Sequence, residues 1–158
     1  MIKVAILTVS DSSAAGKRED LSGPAIRAAL PADSFEVCEY GIVPDDRQAI
    51  EQQLVHFADE LKVDIVLTTG GTGLGPRDVT PEATAEVCQR PVPGLAEVIR
   101  AEGLKKTRNA MLSRGTAGLR SSTLIINLPG SPKAVTESLE AIVGVLPHAT
   151  DMMLGGGH

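Results

Sequence analysis

Short apolar runs, rich in β-branched residues, occur repeatedly along the chain. Such a run is typical of a buried β-strand, because side chains leave a strand on both faces and both faces must then find apolar surroundings. The runs span residues 1–10, 35–43, 64–69 and 122–128. Residues 111–120 predict a loop and a short edge strand. Gly41 predicts a bend or bulge inside the second run.

Between these runs, apolar residues recur at a spacing of three or four, which predicts helices with one buried face. Ile50, Leu54, Phe57 and Leu61 show this spacing over 47–61. Further helices are predicted after Ser22, Thr80 and Ser131, each a predicted N-cap followed by a proline, and over 94–105, whereas the polar residues 11–20 predict a loop.

The alternation of strands and helices predicts the α/β fold class. The expected architecture is a three-layer α/β/α sandwich around a mostly parallel sheet, with right-handed crossovers. We expect residues 1–154 to form a single domain and residues 155–158 to form a flexible tail.

Composition narrows the possible partners. The chain is 42% hydrophobic but only 2% aromatic, so its core must consist of Val, Ile, Leu and Ala. Its net charge of −5 argues against a nucleic-acid partner, which would require clustered Lys and Arg. No stretch approaches the roughly 20 apolar residues that span a membrane, and the first residues lack the features of a signal peptide. We therefore expect a cytoplasmic protein, with Cys38 and Cys88 as reduced thiols.

Polar loops follow three of the predicted strands, at Thr8–Ser12, Gly70–Gly73 and Leu128–Lys133. The carboxyl ends of parallel strands meet at one edge of a sheet, so we expect these loops to lie side by side. Backbone amides there, together with the hydroxyls of Ser10, Thr72 and Ser131, would form a phosphate cradle. Lys133 either adds positive charge to this cradle or is a solvated helix residue. Glycine-rich turns are common, and this one matches neither the Walker A motif nor the dinucleotide fingerprint.

Two carboxylates, Asp45 and Asp78, each come just after a predicted strand. A pair of carboxylates at such an edge suits Mg²⁺, which prefers oxygen ligands and often bridges to substrate phosphates. Two structural alternatives stay open: Asp45 or Asp46 caps the following helix, and Asp78 pairs with Arg77. Arg77 itself either binds a phosphate through both arms of its guanidinium group or is a solvated loop residue.

Taken together, these segments resemble the signature of the molybdenum-cofactor biosynthesis family, and in particular its single-domain MogA/MoaB-type members. The resemblance extends over nearly the whole chain. It is carried by LTVSD, VPDD, LTTGGTG, RDVTPEA, VPGLAEVIR, LSRGTAGLR and INLPGSPKAV. It implies a molybdopterin-binding-domain-like fold, a homotrimer, and molybdopterin adenylyltransfer, in which ATP and molybdopterin give adenylylated molybdopterin and pyrophosphate with Mg²⁺. A separate molybdenum-insertion protein would receive the product.

The resemblance implies that Asp45 and Asp78 are the catalytic, metal-binding aspartates, that the glycine-rich site falls on Gly70–Gly73, and that Pro129–Ser131 forms a substrate-side loop. Together with the strand-end residues, this predicts a set that binds phosphate, nucleotide and pterin. Its members are Ser10, Asp11, Gly70, Gly71, Thr72, Gly73, Arg77, Gly130 and Ser131.

Two other functions compete with this hypothesis. A non-catalytic, MoaB-type protein would bind molybdopterin without using ATP, although the intact RDVTPEA segment argues against it. A nucleotide-pyrophosphate hydrolase is the second alternative, because a related domain occurs in competence-damage-inducible proteins. Those proteins carry a GGLGPT-type loop where this chain has GGTGLGPRD, which argues against hydrolysis.

Overall fold

The computed structural model describes residues 1–156 and contains one six-stranded sheet. The strands are β1 (Ile2–Val9), β2 (Phe35–Val43), β3 (Ile65–Thr69), β4 (Arg90–Pro91), β5 (Ala117–Arg120) and β6 (Thr123–Leu128). Their order across the sheet is β2-β1-β3-β6-β5-β4. The first four strands in that order run parallel, β5 is antiparallel to β6, and β4 is antiparallel to β5. The prediction of a mostly parallel sheet is confirmed.

Helices cover both faces of the sheet, which confirms the three-layer α/β/α fold class. They are α1 (Asp11–Ala14), α2 (Ser22–Ala29), α3 (Arg47–Val55), α4 (Thr80–Val87), α5 (Pro93–Leu104), α6 (Pro132–Ile142) and α7 (Leu146–Met153). A π-helical turn at His56–Glu60 extends α3, and 3₁₀ turns span Arg108–Leu112 and Val143–Val145.

Each central strand contributes to two cores, which explains its continuous apolar sequence. In β3, Ile65 and Leu67 face the side covered by α2, α5, α6 and α7, whereas Val66 faces α3 and α4. All three side chains are completely buried. The π-helical turn after α3 contributes Phe57, which is also fully buried, to the core on the α3 and α4 side.

Several predicted details differ in the structure. The extra residue in β2 is Cys38, not Gly41, because Val37 pairs with Val4 while Glu39 pairs with the next residue of β1. Leu61 is 39% exposed, since the π-helical turn before it changes the helical phase that the 3–4 spacing assumes. The segment predicted as an edge strand, β5, is paired on both sides, because the two-residue β4 supplies the sheet edge.

Helix α7 has a proline near its start, and its last turn bonds to two residues beyond its end. Pro147 lies in the first turn of α7, where its missing amide costs no hydrogen bond. The predicted tail begins with two residues that bond to α7: Gly155 N donates to Met152 O at 2.9 Å and Gly156 N to Asp151 O at 3.0 Å. Residues 157–158 lie outside the described part of the chain. Within residues 1–156, no helix combines the length and the apolar character needed to cross a membrane.

Candidate functional site

The carboxyl ends of β1, β2, β3 and β6 lie along one edge of the sheet, as the parallel pairing requires. The loops that follow them are held together by hydrogen bonds. Ser10 N donates to Val43 O at 2.9 Å, and Gly70 N donates to Leu128 O at 3.3 Å. The Thr69 hydroxyl donates to Pro129 O at 2.6 Å. The three loops predicted to lie side by side therefore do so.

The glycine loop needs glycine at its first two positions. Gly70 has φ +96° and Gly71 has φ +70°, a region that side-chain-bearing residues rarely adopt. A Cβ on Gly70 would collide with the carbonyl oxygen of Val9, and one on Gly71 would collide with the hydroxyl of Thr80. The main chain of this loop thus passes against β1 on one side and against the start of α4 on the other.

Gly70→Ala is expected to lower the free energy of unfolding by about 2–4 kcal/mol, because strain at positive φ and a backbone clash both act on the native state. Urea denaturation measures this loss. Gly144→Ala is the control, since a Cβ there meets nothing within 4 Å. It should change stability by less than about 1 kcal/mol. Equal urea midpoints for the two variants would contradict the claim that a side chain at position 70 is sterically unfavourable.

Two predicted N-caps use their hydroxyls elsewhere. Thr80 does not cap α4: its Oγ1 donates to Gly70 O at 3.0 Å, which joins the helix start to the glycine loop. Ser22 does not cap α2: its Oγ donates to Gly130 O at 2.6 Å. Ser131 does cap α6, accepting from Ala134 N at 3.2 Å.

The carboxylate of Asp20 supplies the cap that Ser22 does not, and the sequence pattern does not reveal this role. Asp20 Oδ1 accepts from the amides of Ser22 and Gly23 at 3.1 and 3.3 Å. Its Oδ2 accepts from the Thr8 hydroxyl at 2.8 Å and from the Tyr40 hydroxyl. Burial, together with the bond to Asp20, raises the pKa of Tyr40 to about 12. Asp20 therefore joins β1, β2 and α2 beside the substrate-side loop predicted at 129–131.

Asp11, Asp45 and Arg77 form a connected group at this edge. Asp11 N donates to Asp45 Oδ2 and Asp45 N donates to Asp11 Oδ1, both at 2.9 Å. Arg77 Nε and Nη2 donate to the two carboxylate oxygens of Asp11 at 2.6 and 3.0 Å. This bidentate partner lowers the pKa of Asp11. Arg77 thus pairs with Asp11, and the predicted alternative of a pair with Asp78 does not occur.

Asp45 is free of the capping role that was its main structural alternative. Asp46 caps α3 instead, accepting from Ala49 N at 2.9 Å. Burial raises the pKa of Asp45; the bond from the Asp11 amide opposes this shift, while the charges of Asp11 and Asp78 add to it. Asp45 and Asp78 are therefore close enough to interact.

Asp78 lies close to the end of the glycine loop. Its Oδ2 accepts from Gly75 N at 2.9 Å, and Cβ atoms built on Gly73 or Gly75 would lie 2.9 Å from that oxygen. Asp45 Oδ1 is similarly close to Gly71, because a Cβ atom built on Gly71 would lie 3.3 Å from that oxygen. Both predicted aspartates consequently lie against the glycine loop, Asp45 beside Gly71 and Asp78 beside Gly73.

The pair fits a hard divalent cation. Both residues are half-buried carboxylates, and a cation would offset the burial and the lesser like-charge repulsion that raise the pKa of Asp45. Within residues 1–156, no group of three or more His, Cys, Asp and Glu side chains is placed to hold a metal ion. Mg²⁺ is commonly held by one or two carboxylates plus substrate phosphates and water, and a pair of aspartates matches that mode.

Two cavities open along the same edge. The smaller has a volume of about 290 Å³, and Ser10, Asp20, Gly70 and Ser131 are among its lining residues. The larger, of about 730 Å³, lies between the glycine loop, α5 and α6, and Thr72 and Gly73 form part of its wall. Volumes of this order suit small-molecule ligands. Lys133 is exposed in the first turn of α6, as its solvated alternative predicts.

Arg114 is the second residue of this region whose role the sequence pattern does not reveal. Its side chain donates to Gly73 O, to Asp78 O and to the carboxylate of Glu82, at distances between 2.6 and 3.2 Å. The segment LSRGTAGLR, which contains it, contributes to the family resemblance. No spacing rule, however, places residue 114 against a loop about 40 residues earlier in the chain.

Comparison with known proteins gives concordant matches. The sequence profile of the family described as "Probable molybdopterin binding domain" matches residues 5–148. A protein of Helicobacter pylori (strain J99) named "Molybdopterin adenylyltransferase" is 46% identical over 156 residues, which covers 98% of this chain and 89% of that protein. A protein of Escherichia coli (strain K12) with the same name is 39% identical over 144 residues, covering 89% of this chain and 73% of that protein.

The fold is also similar to that of solved structures. The molybdopterin biosynthesis enzyme MoaB from Thermus thermophilus superposes with a TM-score of 0.93 at 53% sequence identity, and the match covers 100% of both chains.

Proposed function

Because this chain belongs to the molybdopterin-binding domain family of molybdenum-cofactor biosynthesis, we propose that it is a molybdopterin adenylyltransferase. It transfers the adenylyl group of ATP to the terminal phosphate of molybdopterin and releases pyrophosphate. The observation that carries the proposal is that Asp45 and Asp78 both lie against one glycine loop, at the carboxyl edge of the sheet. Curated relatives with this name at 39–46% identity support the activity over mere pterin binding.

The reaction asks for positioning and charge neutralisation more than for covalent chemistry. An oxygen of the terminal phosphate of molybdopterin attacks the α-phosphorus of ATP, and the bond from that phosphorus to the pyrophosphate oxygen breaks. The attacking phosphate is already ionised near neutral pH, so neither aspartate needs to act as a general base. Holding two polyanions in line then supplies much of the rate enhancement.

We assign roles to the residues on this basis. Asp45 and Asp78 would hold Mg²⁺, directly or through water, and the cation would neutralise charge on the triphosphate and on the leaving pyrophosphate. The amides of Gly70–Gly73, with the hydroxyls of Ser10, Thr72 and Ser131, would hold phosphates, and Gly130 would lie beside the substrate. Both carboxylate oxygens of Asp11 accept hydrogen bonds from Arg77. Arg77 would therefore release Asp11 when its guanidinium group binds a phosphate through both arms.

Several broader expectations accompany the activity. We propose that residues 1–154 work as one MogA/MoaB-like domain, that the protein is a homotrimer in the cytoplasm, and that it passes its product to a molybdenum-insertion protein. Exposed apolar side chains on the described surface, such as Leu74 at 66% and Met111 at 56%, leave area for contacts between copies. Sedimentation velocity of the purified chain tests the trimer.

The direct test mixes the protein with molybdopterin, ATP and Mg²⁺ and measures pyrophosphate and adenylylated molybdopterin. Both products are expected in equal amounts, and neither should form when pterin is omitted. Pterin binding in calorimetry that neither consumes ATP nor responds to it would favour the binding-module alternative. Hydrolysis of ADP-ribose in the absence of pterin would favour the hydrolase.

A further inference from the structure

Arg114 clamps the loop that carries Asp78. It lies between the 3₁₀ turn at Arg108–Leu112 and β5, and its side chain reaches from Gly73, the last residue of the glycine loop, to Asp78. Nε donates to Gly73 O at 2.8 Å, and Nη2 donates to Asp78 O at 2.6 Å. The backbone amide of Arg114 also donates to Thr72 O at 2.9 Å. Three carbonyls of residues 72–78 are thus bound by one arginine.

The clamped segment also fixes the direction of the Asp78 side chain. Asp78 N donates to Gly75 O at 3.0 Å, while Gly75 N donates back to Asp78 Oδ2 at 2.9 Å. The carboxylate is therefore oriented by a turn that lies within the segment Arg114 holds. Because Arg114 bonds to the main-chain carbonyl of Asp78, it sets the position of the Asp78 carboxylate.

The clamp is anchored on both layers of helices. Glu82 of α4 accepts from Arg114 Nη1 at 2.6 Å and from Nη2 at 3.2 Å, and this pairing lowers the pKa of Glu82. On the other side of the sheet, Arg100 of α5 donates to Ser113 O at 3.3 Å and to Gly115 O at 2.8 Å. The residues on either side of Arg114 are consequently held by one helix layer while its guanidinium group is held by the other.

We infer that Arg114 is a positioning residue for the proposed adenylyl transfer: it holds Asp78 where that carboxylate can bind the cation that accompanies ATP. This inference rests on the proposed function. A guanidinium group is required because its planar fork of donors reaches two carbonyls and a carboxylate at once, whereas a lysine ammonium has no such fixed geometry. Residues that orient metal ligands typically change metal affinity or activity 10- to 100-fold when they are replaced.

The test compares Arg114→Lys with Arg120→Lys. Arg120 is a matched control: its Nε and Nη2 bind Asp59 at 3.0 and 2.7 Å, and its Nη1 binds Val87 O, the carbonyl of the last residue of α4. We expect Arg114→Lys to raise the Mg²⁺ concentration for half-maximal activity about 10-fold or more and to lower kcat, with the KM for molybdopterin unchanged. Arg120→Lys should leave the Mg²⁺ requirement unchanged.

Calorimetry of MgATP binding gives a readout that needs no turnover. Arg114→Lys should bind MgATP about 10-fold more weakly than Arg120→Lys does. Glu82→Gln leaves Arg114 bound to the two carbonyls but removes the charged partner of its guanidinium group, so this variant should also bind MgATP more weakly, by a smaller factor. It replaces Arg114→Lys in the comparison if that variant does not fold. Equal MgATP affinities across the Arg114, Glu82 and Arg120 variants would overturn the inference, whether or not the wild-type protein adenylylates molybdopterin. Absence of pterin-dependent pyrophosphate release in the wild type alone would instead overturn the proposed function.

Discussion

Asp78→Asn is expected to lower kcat for pyrophosphate release by about 100- to 1,000-fold, the usual cost of removing one electrostatic stabiliser from a reaction centre. Asparagine has nearly the shape of aspartate, and its side-chain oxygen can still accept from Gly75 N, as Asp78 Oδ2 does at 2.9 Å. The loop should therefore keep its conformation while the site loses one negative charge. Steady-state kinetics over a range of Mg²⁺ concentrations measures the effect, and thermal denaturation checks the fold.

Asp46→Asn is the matched control for that experiment. Asp46 is adjacent to Asp45 in the chain, but its carboxylate caps α3 through Ala49 N at 2.9 Å. Asparagine is an equally good N-cap, so this variant should keep both the stability and the rate of the wild type. A wild-type rate for Asp78→Asn at every Mg²⁺ concentration would remove Asp78 from the proposed mechanism.

Asn127→Leu is expected to lower the free energy of unfolding by about 2–4 kcal/mol, because it breaks a buried polar network. Asn127 is 3% exposed, and its Nδ2 donates to the hydroxyls of Thr68 and Thr84 at 3.0 and 2.9 Å. Its Oδ1 accepts from Thr116 N at 3.1 Å. Leucine has a similar size but offers no polar atom, so three polar groups lose a partner inside the protein.

Urea denaturation measures this change as a lower midpoint with an unchanged slope. Asn109→Leu serves as the control, because Asn109 is exposed in the 3₁₀ turn at Arg108–Leu112 and its side chain is not part of a buried network. This control should stay within about 0.5 kcal/mol of the wild type. If Asn127→Leu is as stable as the control, the network contributes nothing to the native state.

The main strands could be predicted because their signal is local. A strand buried on both faces needs an unbroken run of apolar residues, and Ile65–Leu67 in β3 and Leu124–Ile126 in β6 supply one whatever their neighbours are. The short strand β4 (Arg90–Pro91) could not be predicted in this way, since two exposed residues carry no apolar pattern. It is a strand only because β5, about 30 residues later in the chain, lies beside it and pairs with it.

The N-caps also divide into those set by local sequence and those decided by distant contacts. The prediction for Ser131 is confirmed, because its partner, Ala134 N, lies three residues ahead and depends only on the local turn. The prediction for Ser22 is wrong, because its hydroxyl finds Gly130 O, 108 residues away, while Asp20 takes over the cap. A serine or threonine before a helix thus signals a cap only when no distant acceptor competes for it.

The sequence by itself predicted the α/β alternation and the glycine loop at 70–73, and it marked Asp45 and Asp78 as candidates, because each follows from residue type and from position after a strand. The tertiary structure decided which groups meet. It turned Arg77 toward Asp11, 66 residues away, and it placed Arg114 across the loop that carries Asp78. The physical reason is that such partners depend on the order in which strands join the sheet, which local spacing does not specify. A pattern can therefore name the candidate carboxylates, but only the assembled sheet shows the arginine that binds the loop carrying one of them.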